Sequence, residues 1–433
     1  MLELEDIYEI FKAHPNICTD SRAVRLGDLF FALKGDKFDG NQYAEQAIAK
    51  GAAYAIIDDE QYRKNEQYIL TTDVLTTLQD LARFHRRSFG IPIIALTGSN
   101  GKTTTKELVA TVLGSQYEAH FTQGNYNNHI GVPLTLLSMP EETQVAIIEM
   151  GANHVGEIAA LCQIAEPTHG LITNIGKAHL EGFGGIEGVK QGKSELYRFV
   201  ESNKGVVFIN MDEPFLMELA VDNTRQVHYR QDVSLSTEVV EQQIEFLHAT
   251  PYVKAAFIDR QGVRYEVQTQ LVGAYNFPNV ATAIVIGKYF KVPHQKIVNA
   301  LSQYTPTNNR SQIVQRDSNT IILDAYNANP TSMRHAIDNL ANWALPHKVA
   351  ILGDMLELGG ESAAEHQKIY DYLQSFDFQH VVLVGTQFKQ VGAALHFPTV
   401  AALKTWFVEQ RFSETAILIK GSRGIRLEEV LQE

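Results

Sequence analysis

An α/β architecture in three units is what the sequence predicts, and three observations predict it. The chain has 433 residues, more than one domain of roughly 100 to 200 residues accommodates. In its second and third blocks, short apolar runs alternate with stretches of helical pattern, the order of a parallel sheet crossed by helices. One such run, ending at Leu96, leads directly into Thr97-Gly98-Ser99-Asn100-Gly101-Lys102-Thr103-Thr104 and then a helical pattern. That is the strand, loop and helix of half a βαβ unit, so a P-loop-type central domain is expected.

Composition sets the class of molecule. Apolar residues make up 45% and charged residues 20%, the proportions of a folded globular protein. Lys and Arg number 37 against 50 Asp and Glu, a net charge of −13, which repels a polyanion and argues against nucleic acid as a partner. A small anionic ligand would have to be met by local cations and helix amino termini. Cys18 and Cys162 lie far apart and read as buried thiols of a reducing compartment. The first fifteen residues are acidic where a secretory leader would be basic. No run approaches the roughly 18 apolar residues of a membrane span. A cytoplasmic enzyme or binding protein, without a membrane span and monomeric, is the expectation.

Taken in order, the first block covers 1–89, with a strand at 29–33, a helix at 43–50 and a buried strand at 53–57. The basic, polar stretch 85–90 before Pro92 reads as a linker. The second block, 90–309, opens with a strand at 91–96 and a helix at 102–113. Strands at 145–149 and 170–174 end in polar residues, and ligands of open α/β sheets gather at such carboxyl ends. Residues 243–272 alternate like antiparallel strands, and a helix follows at 276–290. The third block, 310–433, offers strands at 320–324, 348–352, 381–384 and 416–419 separated by helical stretches. That pattern predicts a second doubly wound, Rossmann-like sheet.

The glycine loop carries the strongest chemical signal. Gly98 and Gly101 free backbone amides for phosphate oxygens beside Ser99 and Asn100, Lys102 brings a mobile positive charge, and the Thr103 hydroxyl suits Mg²⁺. The match to G-x-x-x-x-G-K-[ST] covers only its second half, because Leu96 occupies the first glycine position. Chemistry on a nucleotide phosphate follows, with the acceptor left open. Glu149, at a strand end, reads either as a Mg²⁺ ligand or as a surface acid. His179 falls in the same crevice if the two strands are neighbours and is otherwise a structural histidine. Lys193, beyond the glycine-rich stretch 182–188, reads from composition as a surface lysine.

These motifs, in this order and across all three blocks, resemble the Mur ligases, ATP-dependent amide ligases of peptidoglycan synthesis. The resemblance rests on the loop 98–104, on Gly124-Asn125-Tyr126-Asn127-Asn128-His129-Ile130-Gly131-Val132-Pro133, on Glu149-Met150-Gly151, and on Asn174-Ile175 with His179. The run Asp324-Ala325-Tyr326-Asn327-Ala328-Asn329-Pro330, with the blocks 353–359 and 420–423, is similar to the branch that adds D-alanyl-D-alanine. Asp20-Ser21-Arg22 and 32–40 resemble the UDP-sugar domain of that branch.

The resemblance implies ATP and Mg²⁺ as cofactors, and a UDP-N-acetylmuramoyl tripeptide and D-alanyl-D-alanine as partners. It further implies that Gly98 to Thr103 bind phosphates, that Thr103 and Glu149 hold one Mg²⁺ and His179 a second, and that Lys193 is carbamylated into an anionic metal ligand. Asn276 and Asn279 would lie on the adenine side, Arg310 between domains and Asp324 at the ribose. Ser21, Arg22, Asn125, Asn128, Asn153, His154, Tyr326, Asn327 and Asn329 would meet the other substrates. Tyr275 departs from the pattern, since many members have His there. Two other functions fit parts of the sequence: a sibling ligase adding a single amino acid, and a nucleotide-dependent switch with no amine acceptor.

Overall fold

The computed structural model describes residues 2–432 apart from 178, 233–241, 308 and 394. In the first block, strands Ile17–Cys18, Leu29–Phe31, Tyr54–Ile57 and Tyr68–Leu70 pair in that order, all in parallel. Alternate side chains point to opposite faces of a strand. Leu29, Phe31 and Ile56 therefore join Ile7, Phe11, Leu78 and Leu81 on one face, while Phe30, Ala55 and Ile57 meet Ala44 and Ala47 on the other. Both faces are covered, which is why these strands are almost continuously apolar.

The stretch 85–90 is not a simple linker. Its first residues are the last turn of helix Val74–Ser88, which Asp73 caps by accepting from the Thr76 amide at 2.6 Å. Arg86 is buried and donates to the carbonyls of Ala165 and Glu166, both at 3.1 Å, and of Phe89 at 3.0 Å. Its positive charge thus closes the carboxyl end of helix Glu157–Ala165, where the unsatisfied carbonyls collect negative charge. The polarity that suggested a linker serves a helix end in the second block.

The central sheet runs, edge to edge, through Ala119–Phe121, Val145–Glu149, Ile93–Thr97, His169–Ile172, Val206–Asn210, Gln226–Asp232, Gln242–His248, Tyr252–Ile258 and Arg264–Val272. The first seven are parallel, and the last two turn antiparallel as the alternation in 243–272 predicts. The chain leaves Ile93–Thr97 for one edge, returns beside it at Val145–Glu149 and then crosses to its other side. Ile93–Thr97 therefore ends at a topological switch point, where an open α/β sheet forms its ligand crevice. Helix Lys102–Gly114 starts there and packs Leu108, Val109 and Val112 with Val280 and Ile284 of helix Phe277–Tyr289.

In the third block the order is Gln312–Arg316, Asn319–Asp324, Thr415–Lys420, His347–Gly353, His380–Val384 and His396–Phe397, parallel except for the first pair. Ile322, Leu352 and Leu418 bury against Met333 and Ile337, and Ile321, Ile351 and Ile417 against Leu403 and Phe407. The sheet is doubly wound. Its register sets Asp324 opposite Lys420, so two strand ends present an acid and a base side by side. Among the described residues no helix is long and apolar enough to cross a membrane.

Candidate active site

The phosphate loop is held open from below. Gly98 has φ +145°, and a Cβ there would lie 1.9 Å from Thr173 Oγ1; Gly101 has φ +79°, and a Cβ there would lie 2.6 Å from Asn279 Oδ1. Only glycine fits both the left-handed backbone and the close approach. Asn174 braces the loop from the next strand: its Oδ1 accepts from the Asn100 amide at 2.9 Å, and its carbonyl accepts from the Ser99 amide at 3.0 Å. Ser99 Oγ donates to the Gly176 carbonyl at 3.0 Å. Lys102 folds back over the loop and donates to the Gly98 carbonyl at 2.7 Å. Desolvation pulls its ammonium below the ordinary lysine value, opposed by Glu149 and Glu357 and assisted by Arg310.

Glu149, fully buried at its strand end, accepts from Thr103 Oγ1 and from Asn127 Nδ2, both at 2.9 Å. Its own amide donates to Thr122 Oγ1 at 3.0 Å, and the buried Lys106 donates to the Thr122 carbonyl at 2.8 Å. Asn127, Thr122 and Lys106 are positioning groups that the sequence reading did not single out. The Thr103 hydroxyl and the Glu149 carboxylate form a hard-oxygen pair that fits Mg²⁺. Such an ion takes its remaining ligands from phosphate and water, and among the described residues no cluster of three His, Cys, Asp or Glu forms a closed cage.

The third block closes one wall of the resulting cavity, whose volume is about 700 Å³. Arg310 stacks on Tyr326, 3.8 Å from its ring centre, and its buried Nε has no hydrogen-bond partner among the described residues. Arg423 donates to the Tyr326 hydroxyl at 3.2 Å. Asp324 accepts from Lys420 Nζ at 2.6 Å, and the same Nζ donates to the Asn327 carbonyl at 3.1 Å. Asn329 caps helix Pro330–Ala341 through the Ser332 amide at 2.9 Å, while its Nδ2 donates across the cleft to Asn100 Oδ1 at 2.6 Å. His179 forms a second bridge, with Nδ1 2.6 Å from Glu357 Oε2. That contact, ahead of the opposing desolvation, holds the Glu357 carboxyl below its usual range.

Lys193 is not a surface lysine. It lies in helix Ile186–Ser202 at 1% exposure, outside the lining of the main cavity, with the Phe183 ring centre 5.4 Å from Nζ. Among the described residues it has no hydrogen bond or carboxylate partner. Burial, helped by Lys102, pushes its ammonium well below the ordinary value. Asn276 and Asn279 form a relay: Asn276 donates to the Val272 carbonyl, Asn279 Nδ2 donates to Asn276 Oδ1 at 3.0 Å, and Thr105 donates to Asn279 Oδ1 at 3.0 Å. Tyr275 stacks on His335 with ring centres 5.7 Å apart and shares a hydrogen bond with Ser311 at 2.8 Å. Burial, ahead of Asp324, raises the Tyr275 hydroxyl, and burial lowers the His335 imidazole.

Asn125, Asn128 and Asn153 line the main cavity. Asn128 also accepts from the Gly131 amide at 2.8 Å, fixing the start of helix Gly131–Leu137. His154 is exposed and pairs with Glu157 at 3.2 Å; it does not line that cavity. A second cavity of about 800 Å³ lies between the first block and the second, lined by Thr19, Asp20, Arg25, Asp28, Phe121 and Tyr126 among others. Ser21 is tucked against Gln46 at 3.3 Å, and the exposed Arg22 pairs with Asp20 at 2.8 Å, so both shape the turn bordering this cavity and neither lines it. The segment from Gln123 to His129 serves both cavities: Gln123 and Tyr126 face the second, Asn125, Asn127, Asn128 and His129 the first.

Three family descriptions match the chain: the Mur ligase family catalytic domain over 15–86, the Mur ligase middle domain over 96–287, and the Mur ligase glutamate ligase domain over 309–423. A Bacillus subtilis relative named UDP-N-acetylmuramoyl-tripeptide--D-alanyl-D-alanine ligase is 35% identical, covering 96% of this chain and 92% of its own length. The Escherichia coli relative of that name is 33% identical over the same shares. Among solved structures, MurF from Acinetobacter baumannii superposes with a TM-score of 0.85 at 32% identity, covering 96% of this chain and 92% of that one. MurF ligase from Thermotoga maritima in complex with ADP gives 0.84 at 25% identity, covering 100% and 98%.

Proposed function

The chain belongs to the Mur ligase family, and from that premise we infer that it is the ATP-dependent ligase joining D-alanyl-D-alanine to a UDP-N-acetylmuramoyl tripeptide in peptidoglycan precursor synthesis. The observation that carries this reading is the contact between the two decisive motifs. The Asp324 to Pro330 run reaches the phosphate loop directly, through Asn329 on Asn100, so the acceptor-side domain closes on the site of phosphoryl transfer.

The chemistry follows from the poor electrophilicity of a carboxylate. The tripeptide carboxylate attacks the γ-phosphorus of ATP, the bond to the β-bridging oxygen breaks, and an acyl phosphate and ADP result. The dipeptide amine then adds to the acyl carbon, phosphate leaves, and the amine proton is lost. Lys102, the loop amides and Arg310, with its unpartnered Nε, supply positive charge where the transferring group gains negative charge. Mg²⁺ would be held by Thr103 and Glu149, and its charge would further stabilise that group. His179 would serve a second ion once Glu357 is displaced. Lys193 would contribute as a carbamate, a role its burial without a partner supports.

The sugar nucleotide would occupy the second cavity, with Asp20, Ser21 and Arg22 shaping its rim. The peptide would run past the segment 123–129, which borders both cavities, to the phosphate loop. Asn125, Asn128, Asn153, Tyr326 and Asn327 would meet peptide and dipeptide; the pairing of His154 with Glu157 assigns it a supporting role in shaping the loop. Asn276 and Asn279 would flank the adenine and Asp324 the ribose. The division into 1–89, 90–309 and 310–433 is supported by one main sheet in each segment, with an additional small two-stranded sheet, Lys34–Gly35 and Phe38–Asp39, in the first. A cytoplasmic location is supported by the reducing-compartment cysteine usage, with both cysteines free.

Incubation with UDP-muramoyl tripeptides, ATP, Mg²⁺ and candidate amines tests the assignment by product mass. Phosphate release should require the tripeptide and rise sharply with D-alanyl-D-alanine. If L-alanine or D-glutamate serves as well as the dipeptide, the assignment to this branch is wrong.

A further inference from the structure

Along the carboxyl edge of the central sheet, four consecutive strands each deliver a group to the main cavity. Val145–Glu149 delivers the acid paired to Thr103, Ile93–Thr97 the phosphate loop, His169–Ile172 Asn174, and Val206–Asn210 the turn bearing Glu213. The order gives the bound nucleotide a direction. With its terminal phosphate at the Thr103–Glu149 pair, the nucleoside would extend the other way, over Asn174 towards Glu213. Asn276, Pro278 and Asn279 line the cavity from the helix above. Pro278 is tied to the Glu213 side by its carbonyl, which accepts from Thr282 Oγ1 at 2.8 Å, while that hydroxyl bonds Tyr229 at 2.6 Å. Tyr229 in turn lies within electrostatic range of Glu213.

Glu213 differs from the other acids of the cavity. Glu149, Glu157 and Asp324 each accept hydrogen bonds from the protein, and the neighbouring Asp212 accepts from the Gln231 amide at 2.6 Å. The Glu213 side chain has no hydrogen bond or ion pair among the described residues. Its backbone is nonetheless fixed, with the Glu213 amide on the Asn210 carbonyl and the Leu216 amide on the Glu213 carbonyl, both at 3.2 Å. A held, unpaired carboxyl group facing a ligand cavity is a recognition group awaiting its donor.

We propose that Glu213 selects the nucleobase by accepting a hydrogen bond from the exocyclic amine of adenine. Guanine carries an oxygen at the corresponding ring position, which would face the carboxyl oxygen with lone pair against lone pair. Glu213 is half-buried, and a site that offers a hydrogen-bonding group rejects an analogue that leaves it unmatched more strongly than an apolar pocket does. Burial, with a smaller contribution from Asp212, raises this carboxyl to about 7. The ionised form, dominant above that value, can only accept, so it is the form that discriminates against the guanine oxygen.

The proposal rests on the reading that the loop at 98–103 holds nucleotide phosphates, and the test separates the two. Calorimetric binding of ADP and GDP, with Mg²⁺ and no other substrate, is measured for the wild type, Glu213→Gln and Glu213→Ala. The wild type should favour ADP by tenfold or more. In Glu213→Ala the ADP affinity should fall about tenfold with GDP affinity unchanged within twofold. Glu213→Gln, close to isosteric and able to donate to the guanine oxygen, should lower the ADP to GDP preference at least fivefold with an unchanged melting temperature. A wild type that does not distinguish ADP from GDP, or a Glu213→Gln preference altered less than fivefold, overturns the proposal. A wild type that binds ADP yet forms no amide overturns the ligase reading alone.

Discussion

Two lysines in this molecule face opposite requirements. In the proposed reaction Lys102 would act as a charged group at the phosphates, and its contact with the Gly98 carbonyl holds it over the loop without tying up a carboxylate. Lys102→Ala should lower kcat by about 10²-fold, the scale of one preorganised electrostatic contact, with the melting temperature unchanged. Near-native turnover would show that the loop holds something other than the reacting phosphate. Lys193, as the proposed carbamate, would instead have to be neutral to react, because CO₂ adds only to a free amine. Burial and the nearby Lys102 charge drive it in that direction, and no carboxylate among the described residues holds its proton. Lys193→Ala should lose most activity and regain part of it with acetate or formate, whereas Lys193→Arg should not be rescued. An alanine variant that is active without added carboxylate would remove the carbamate from the account.

At the scale of elements, Asn329 shows how one side chain serves the fold and the site. It caps a helix through Ser332 and reaches the phosphate loop through Asn100. Asp and Ser both cap well, so Asn329→Asp and Asn329→Ser should keep the melting temperature within a few degrees. Asp has no donor for Asn100 and adds a negative charge beside the loop, while the Ser hydroxyl can donate but lacks the reach of the Asn329 amide. We expect kcat to fall at least tenfold in Asn329→Asp and less in Asn329→Ser, read by steady-state turnover beside thermal melts. Equal and native-like turnover in both would show that the contact between the domains does not matter to the reaction.

The same scale shows what could be read from the chain alone. The strand, loop and helix around Gly98 to Thr103 were legible because glycines, a lysine and a hydroxyl occur at a spacing that serves one purpose. Glu149 was legible as a polar residue ending an apolar run. Lys193 was not, because burial depends on what helix Ile186–Ser202 packs against, and a lone lysine carries no trace of that. Arg86 misled for the same reason: its partners are carbonyls 79 and 80 positions away, so a helix-closing residue looked like a linker. The Asp324–Lys420 pair could have been found, since Asp324 ends one strand candidate of the block and Lys420 directly follows another, but only the sheet order makes them neighbours. Asn127, Glu357 and Glu213 lie on loops, where neither period of pattern applies.

Across the whole molecule, three sheets divide the work by position. The first block borders the second cavity, proposed to take the sugar nucleotide, the second brings the phosphate loop to its switch point, and the third closes over it through Asn329 and Glu357. In the proposed reaction, closure would shield the acyl phosphate from water while the dipeptide amine approaches. The central claim is that the tripeptide carboxylate is activated by taking the γ-phosphoryl group. The most direct measurement uses tripeptide substrate labelled with ¹⁸O in that carboxylate and follows the label by mass spectrometry during ligation to D-alanyl-D-alanine. The account predicts one ¹⁸O atom in each inorganic phosphate released, with ADP as the other product. Unlabelled phosphate, or AMP in place of ADP, would contradict it.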